Sequence, residues 1–326
     1  MSIQPVCPID LIPEDGRLTT FPIARPDIFA WYTDSADCYW TVNELTLSED
    51  PEHYKTRLSA GEQHFVKYVL AFFSASDGII CLNVSERFKK DIPILEVQYF
   101  YDYQIMMENV HAHTYSILLD AIIPSQTERE TLLNAITTMP IITKMSKYMF
   151  RCIDSEAPFA ERLLSMACVE GIFFTGCFCA IYWLQNRGLM PALGHSNELI
   201  ARDEALHTMF AMYLYTLVKP ELKLSRVEIV RVVSTAVDLA KEFIHEALPE
   251  SLPEMSAELM IPYIECQADN LVSLIDSPPI YNASHNFTFM DQQNMCNRTN
   301  FFERRVSEYS KVSTADVGNF DTATDF

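Results

Sequence analysis

The chain has 326 residues and a formal net charge of −20, with 49% hydrophobic residues and only 8 glycines. A surface this acidic repels the phosphate backbone of nucleic acids and anionic membrane surfaces, so we expect neither as a partner. The hydrophobic content supports a large core, and the scarcity of glycine and of alternating strand patterns predicts long helices.

Cysteine usage and the apolar segments indicate a soluble protein of a reducing compartment. The nine cysteines form no CxxC pair, and most lie in apolar segments where a free thiol behaves as a small hydrophobe. The opening residues, MSIQPVCPID, lack the basic and apolar regions of a signal peptide. The longest apolar run, GIFFTGCFCAIYWL, is too short to cross a bilayer. We therefore expect a cytoplasmic location.

The predicted elements divide the chain into three parts. Residues 1–30 are rich in proline and are predicted to be irregular, and Ser48 is a candidate N-cap for a short helix. A helical domain is predicted for 31–303. Its main helices are expected at 60–88, 93–122, 128–138, 141–153, 158–186, 192–218, 224–246 and 254–275. Residues 304–326 are predicted to form a flexible tail, which serves either as a peptide ligand for another protein or only as a solvated end.

Two of the predicted helices place a glutamate three residues before a histidine. Glu108 precedes His111 in MMENVHAHTYS, and Glu204 precedes His207 in LIARDEALHTM. Because residues three apart lie on one face of a helix, both side chains of a pair can bind the same metal ion. The motif is weak by itself, and it gains weight here because both pairs lie in mainly apolar runs.

Other polar residues need separate interpretations. A third pair, Glu242 with His245, lies in LAKEFIHEALPE, where charges recur on several faces, which indicates an exposed or half-buried helix. Asp77 and Glu170 are each a lone acid in a helix that is otherwise hydrophobic for two or three turns. Considered singly, either acid fits a hydrogen-bonded core residue better than a metal ligand.

The combination of these residues indicates a metal pair. Along the chain the order is Asp, ExxH, Glu and ExxH on four long helices, so four carboxylates and two imidazoles can surround two divalent cations. This pattern is the one described for di-iron and di-manganese carboxylate bundles, and it predicts an all-α, ferritin-like helical bundle. Carboxylates with one imidazole per metal suit iron or manganese, whereas structural zinc prefers cysteine.

The bundle leaves several functions open, because ferritin-like proteins store iron, oxidise bound substrates or make radicals. Tyr115 favours the last of these. It follows Glu108 by two helical turns and therefore lies on the same face as the predicted ligands, where a metal centre can oxidise it. The alternative is a core tyrosine whose hydroxyl is satisfied. An iron-storage protein would form a large cage, which gel filtration separates from a dimer.

Several segments resemble the small, radical-generating subunit of class I ribonucleotide reductase. They are LAFFSASDGII, MENVHAHTYSILLDAII, VEGIFFTGCF, SNELIARDEALH and NFFERRVSEY. The resemblance runs from about Ala30 to the C-terminus, in the family's order, and is closer to eukaryotic and viral members than to most bacterial ones. One departure is NELTLS after the tryptophan, where family members often have EEIDLS. It changes no ligand position.

The resemblance implies an activity, a cofactor and partners. A homodimer would generate a tyrosyl radical with an oxo-bridged di-iron centre, manganese being less expected. It would pass the radical to the large, catalytic subunit of a ribonucleoside-diphosphate reductase, which reduces ribonucleotides to deoxyribonucleotides. The metal ligands implied by position are Asp77, Glu108, His111, Glu170, Glu204 and His207.

The resemblance also assigns the radical and its surroundings. Tyr115 would carry the radical, and Phe174, Phe178 and Ile200 would form the apolar pocket that shields it from reductants.

Radical transfer and docking are implied in the same way. Trp40, Asp203 and Tyr309 would carry the oxidising equivalent to the large subunit. The C-terminal segment would dock on that subunit through residues that include Phe320, Asp325 and Phe326.

Overall fold

The computed structural model describes residues 7–9, 17–154 and 156–290. In these ranges the regular structure is helical, and β pairing is limited to isolated bridges. The helices are α1 Pro26–Ala36, α2 Asp50–Thr56, α3 Ala60–Asp91, α4 Leu95–Ile122, α5 Gln126–Leu133, α6 Ala135–Thr138, α7 Pro140–Asp154, α8 Phe159–Asn186, α9 Pro191–Thr216, α10 Arg226–Ala247 and α11 Ala257–Ser273. The all-α prediction is confirmed.

A four-helix bundle forms the centre of the compact unit Met1–Asn286. Helix α3 packs along α4, and α8 packs along α9; the two pairs are joined by contacts of α3 with α8 and of α4 with α9. Helix α1 covers α4, whereas α10 and α11 cover α8. This is the ferritin-like arrangement, in which side chains from facing helices build a site inside the bundle. The predicted boundary at 303–304 lies outside the described residues.

Helices α3 and α8 are apolar and long enough to span a membrane by hydropathy, but they are core helices. Their most apolar windows are 67% and 89% buried within the protein. Each contains a π-helical segment, Val84–Phe88 in α3 and Val169–Phe174 in α8. A π turn is frequently found at functional sites, and the segment in α8 contains Glu170.

Most helices lie where the pattern predicts them, and three details differ. Helix α1 begins at Pro26, inside the stretch predicted to be irregular, because proline is tolerated in the first turn of a helix. The helix predicted for 128–138 is interrupted at Asn134. The N-cap position of α2 is Glu49, and Ser48 lies one residue before it.

A buried carboxylate of α2 fixes the start of α9. Asp50, which is fully buried, accepts hydrogen bonds from the backbone N–H groups of Ala192 (2.9 Å) and Leu193 (2.8 Å). His53, one turn further on, accepts a hydrogen bond through Nδ1 from the N–H of Met190 at 3.1 Å. These bonds satisfy amide groups that a helix N-terminus leaves unpaired. They also anchor the helix that carries the second ExxH pair.

Replacing Asp50 by alanine is expected to lower the free energy of unfolding by about 2 kcal/mol, because two buried N–H groups lose their acceptor. Glu52→Ala is the matched control, since Glu52 is exposed on the same helix. Denaturant unfolding of both variants tests this. Equal midpoints for the two variants would show that Asp50 does not anchor α9.

Candidate metal centre

The four helices of the bundle bring six polar residues to one place in the core. Helix α3 supplies one acid, α4 and α9 each supply a glutamate and a histidine, and α8 supplies one acid from its π segment. All six side chains are buried, with exposed fractions of 3% or less. They are the predicted ligands Asp77, Glu108, His111, Glu170, Glu204 and His207.

Four of these residues converge closely enough to hold one ion. Glu108, Glu170, Glu204 and His207 each offer a ligand atom, and the four atoms lie within 4.8 Å of one another. Three carboxylate oxygens and one imidazole nitrogen are a donor set that suits iron or manganese.

The glutamates of the two ExxH pairs lie between the two histidines. For Glu108, Oε1 is 3.2 Å from Nδ1 of His207, and Oε2 is 3.5 Å from Nδ1 of His111. For Glu204, Oε1 is 3.0 Å from Nδ1 of His111, and Oε2 is 3.3 Å from Nδ1 of His207. Each of the two carboxylates therefore directs one oxygen at each imidazole.

The orientation of His111 leaves one ring nitrogen available to a metal. Its Nε2 lies 3.1 Å from Oδ2 of Asp203, so a proton on Nε2 can be donated to that carboxylate. The lone pair of Nδ1 then points into the cluster. A carboxylate that fixes the tautomer of a ligating histidine is typical of metal sites.

Several buried atoms of the cluster have no hydrogen-bond partner among the described residues. A pair of cations bound here would give these atoms a partner. The atoms are both carboxylate oxygens of Asp77, Oε2 of Glu108, Oε1 of Glu204 and Nδ1 of His111. Although His111 Nδ1 and Glu204 Oε1 are only 3.0 Å apart, their geometry does not form a hydrogen bond. Leaving such groups unpaired in a core is costly, and two divalent ions would satisfy them together.

The cluster retains protons when no metal is bound. Burial raises the pKa values of Asp77 and Glu170 well above the ordinary range. Burial opposes ionisation of Glu108 as well, but the adjacent imidazoles of His111 and His207 outweigh it and lower the pKa of Glu108 to about 2. For His111 and His207, burial lowers the pKa, and the surrounding carboxylates outweigh it and raise both pKa values.

Gln104 is a buried contact of the cluster that the sequence pattern did not single out. Its Nε2 donates to Oε1 of Glu170 at 2.8 Å and lies 3.4 Å from Oε1 of Glu108. The residue lies one turn before Glu108 on α4, and this spacing was a signal available in the sequence. Gln104 therefore links the α8 carboxylate to α4.

The structure brings Trp40 and Asp203 to the edge of the cluster. The indole Nε1–H of Trp40 donates to Oδ2 of Asp203 at 2.7 Å, and the same oxygen faces Nε2 of His111. The rings of Trp40 and His111 are also stacked, with centroids 5.9 Å apart and planes at 19°. Arg202 donates to the carbonyl oxygen of Cys38 and lies 3.4 Å from Oδ1 of Asp203.

Tyr115 lies in a dry aromatic environment. Its side chain is 1% exposed, and its ring stacks on Phe73 with centroids 4.5 Å apart and planes at 2°. Its hydroxyl has no hydrogen-bond partner among the described residues. Burial, and next the charge of Asp77, raise the pKa of Tyr115. Phe73 was not predicted, although it precedes Asp77 by one turn on the same face of α3.

Two of the three predicted pocket residues pack against this stack. The rings of Phe174 and Phe178 contact Phe73 at 5.3 and 5.2 Å. Ile200 is buried one turn before Glu204 on α9. The role of these three residues in shielding a radical stays a prediction.

Other predicted residues lie away from the cluster or beyond the described ranges. The third ExxH pair is peripheral, as predicted: Glu242 is half-buried and forms an ion pair with Lys144, and His245 is exposed. The transfer and docking positions in the C-terminal segment lie outside the described residues; they are Tyr309, Phe320, Asp325 and Phe326.

Comparisons with known proteins agree with this geometry. A family model described as "Ribonucleotide reductase, small chain" matches residues 17–287. The ribonucleoside-diphosphate reductase small chain of Nicotiana tabacum is 44% identical, over 96% of this chain and 97% of the relative. That of Trypanosoma brucei brucei is 46% identical, over 91% and 87%. The structure of the ribonucleotide reductase Rnr4 homodimer from Saccharomyces cerevisiae superposes with a TM-score of 0.76 at 29% identity, covering 91% of each chain.

Metal binding to the cluster is expected to release protons, so the apparent affinity falls as the pH falls. The reason is that the raised pKa values of Asp77, Glu170 and both histidines keep protons on groups that must lose them to become ligands. Anaerobic calorimetric titration with Mn(II), in buffers of different ionisation enthalpy and at several pH values, measures both effects. The peripheral variant Glu242→Gln serves as the control. An affinity that does not change with pH would contradict this account of the cluster.

Proposed function

This chain belongs to the ribonucleotide reductase small-chain family, and we propose that it is the small subunit of a ribonucleoside-diphosphate reductase. The observation that carries the proposal is the buried carboxylate and histidine cluster, with Tyr115 packed inside the same bundle and Trp40 joined to the cluster through Asp203. An iron-storage protein has no need of that connection to Trp40.

Two iron ions are the proposed cofactor, with manganese the alternative that the same donors accept. Asp77, Glu108 and His111 are assigned to one metal, and Glu170, Glu204 and His207 to the other. Glu108 and Glu204 are proposed to bridge the two metals, because each carboxylate directs one oxygen at each histidine. When bound and reduced, the metal pair supplies the O₂ chemistry that can oxidise a nearby phenol.

Tyr115 is the proposed site of the stored radical. Oxidation of a phenol removes one electron and one proton. Asp77, once ionised as a metal ligand, is proposed to accept that proton, because among the charged groups it raises the pKa of Tyr115 most. The stacked ring of Phe73, with Phe174 and Phe178 behind it, excludes water and reductants from the phenoxyl.

Trp40, Asp203 and His111 are the proposed route for electrons between the cluster and the large subunit. Asp203 accepts hydrogen bonds from both the indole and the imidazole, so it holds the two rings stacked and can accept a proton from either. Tyr309 is proposed to continue the route. The large subunit, docked on the C-terminal segment, is proposed to carry out the reduction of ribonucleoside diphosphates.

We further propose a cytoplasmic homodimer. The yeast relative of known structure is a homodimer. On this chain, α3 and α4 expose neighbouring uncharged residues, among them Leu82 and Met106, each with about 40% of its surface accessible. The thiol of Cys81 reaches the carbonyl oxygen of Ile105 at 3.8 Å, so the two exposed side chains are on adjacent turns of the paired helices. Such a face on a chain of charge −20 suits a second copy.

Tyr115→Phe is expected to abolish the tyrosyl radical while leaving metal binding intact, since only the phenolic oxygen is removed. Electron paramagnetic resonance after anaerobic Fe(II) loading and exposure to O₂ measures the radical. Tyr101→Phe is the matched control, because Tyr101 is another buried tyrosine of α4. A normal radical in Tyr115→Phe would remove Tyr115 from the mechanism.

Removal of residues 320–326 is expected to spare the radical and abolish ribonucleotide reduction in the presence of the large subunit. Radical content and reductase activity are measured on the same preparation, so loss of the metal site is distinguished from loss of docking. Activity equal to that of the full chain would show that the segment does not dock the partner.

A further inference from the structure

A second aromatic connection leaves the cluster on the side of His207. The edge of Phe100 meets the His207 ring at 6.3 Å and 87°, and Phe100 stacks on Phe210 at 3.7 Å and 26°. Phe210 contacts Trp31 of α1 at 5.9 Å, and Trp31 contacts Tyr213 at 5.7 Å. Rings therefore follow one another from the cluster to α1 and the outer face of α9.

The inner part of this connection is dry. Phe100 and Phe210 are each 1% exposed, and Trp31 is 4% exposed. The first two rings are resistant to oxidation and can only shorten the distance that an electron must tunnel. Trp31 is the first easily oxidised side chain on the route.

The outer end is polar and reaches the surface. Tyr213 is half-buried, and its hydroxyl donates a hydrogen bond to Oδ2 of Asp27. Asp27 is 38% exposed and accepts a second hydrogen bond from Nε of Arg25 at 2.8 Å. The hydrogen bond from Arg25, with smaller contributions that include Tyr213, lowers the pKa of Asp27 to about 2. The residue is therefore ionised, and its Oδ2 can accept the phenolic proton along the hydrogen bond from Tyr213.

The order of these groups argues for more than packing. Ordinary aromatic packing between α1, α4 and α9 would be satisfied by any large apolar rings. Here the tryptophan lies inside and the tyrosine lies outside, and the tyrosine is hydrogen-bonded to a carboxylate. A phenol loses its electron more readily when a hydrogen-bonded group can accept its proton at the same time.

We propose that Trp31 and Tyr213 form a second electron-transfer branch, which delivers electrons from the protein surface to the His207 side of the cluster. The branch removes oxidising equivalents that Tyr115 does not capture. It rests on the proposed function, because the oxidant is the one formed at the cluster when the protein acquires its radical.

The electrons and protons balance over three steps. With the metal pair bound and oxidised by O₂, Trp31 would give that pair one electron and become a radical cation. Tyr213 gives one electron to Trp31 and its phenolic proton to Asp27. A thiolate reductant at the surface then gives one electron to the Tyr213 phenoxyl, which recovers its proton from Asp27. The net transfer is one electron from the thiolate, which becomes a thiyl radical.

The Tyr115→Phe chain is the background for the test, because it removes the competing tyrosine. After Fe(II) loading and exposure to O₂, rapid freeze-quench paramagnetic resonance is expected to show a transient tyrosyl signal that narrows when tyrosine is ring-deuterated. Adding Tyr213→Phe, or Trp31→Phe, is expected to remove that signal. Tyr215→Phe is the matched control on α9, since the Tyr215 hydroxyl accepts a hydrogen bond from Leu224 instead.

A second measurement needs no metal. Pulse radiolysis of the metal-free full chain creates tryptophan radicals, and their conversion to tyrosyl radical is expected to slow in Tyr213→Phe and to be unchanged in Tyr215→Phe.

The outcomes separate this branch from the proposed function. A transient signal that survives both Tyr213→Phe and Trp31→Phe, in a protein whose wild type forms the Tyr115 radical, would overturn the branch alone. A wild type that forms no radical on Tyr115 would overturn the proposed function, and the metal-free measurement would then decide whether Trp31 and Tyr213 exchange an electron.

Discussion

The structure depends on one electrostatic constraint: four carboxylates and two imidazoles lie in the hydrophobic centre of a bundle, where solvation cannot stabilise their charges. The surrounding protein offers few hydrogen bonds in compensation. Gln104 reaches Glu170, and Asp203 reaches His111, but both oxygens of Asp77 are without a partner among the described residues. A helical core can hold such a set because its backbone groups are already paired within each helix and do not compete for these side chains.

The same constraint bears on the contacts that position α9, the helix that carries several residues of the cluster. Helix α9 carries Asp203, Glu204 and His207 within two turns, so a small rotation of this helix would displace two carboxylates and an imidazole of the site together. Its N-terminus is fixed by Asp50, and its middle is fixed by the hydrogen bond from Trp40 to Asp203. These contacts hold α9 from two remote parts of the chain.

Much of the fold and of the site could be predicted because the chemistry is local in sequence. The ExxH pairs lie within single helical turns, and lone acids such as Asp77 and Glu170 stand out against the apolar residues around them. What could not be predicted depends on tertiary contacts. In the sequence, Trp31 cannot be told apart from other hydrophobic residues, because its contact with Tyr213 depends on the packing of α1 against α9. The stacking of Phe73 on Tyr115 likewise depends on the alignment of two helices, which the sequence does not reveal. Helix α1 was missed because the prolines in its first turn and before it favoured an irregular segment. The π turns were not predicted because a π turn has no simple hydrophobic period.

The π turn of α8 also bears on how this chain can vary. A π turn holds one residue more than an α turn, so the faces of Phe159–Cys168 and Thr175–Asn186 are out of phase by one residue, a rotation of about 100°. Deleting any single residue from Val169–Phe174 would restore a regular helix, and it would also turn either Glu170 or the rings of Phe174 and Phe178 away from their neighbours. Apart from Glu170, Phe174 and the closely packed Gly171, positions in this segment therefore tolerate a change of side chain better than the segment tolerates a change of length. We expect related chains to keep the number of residues in this segment even where the amino acids differ.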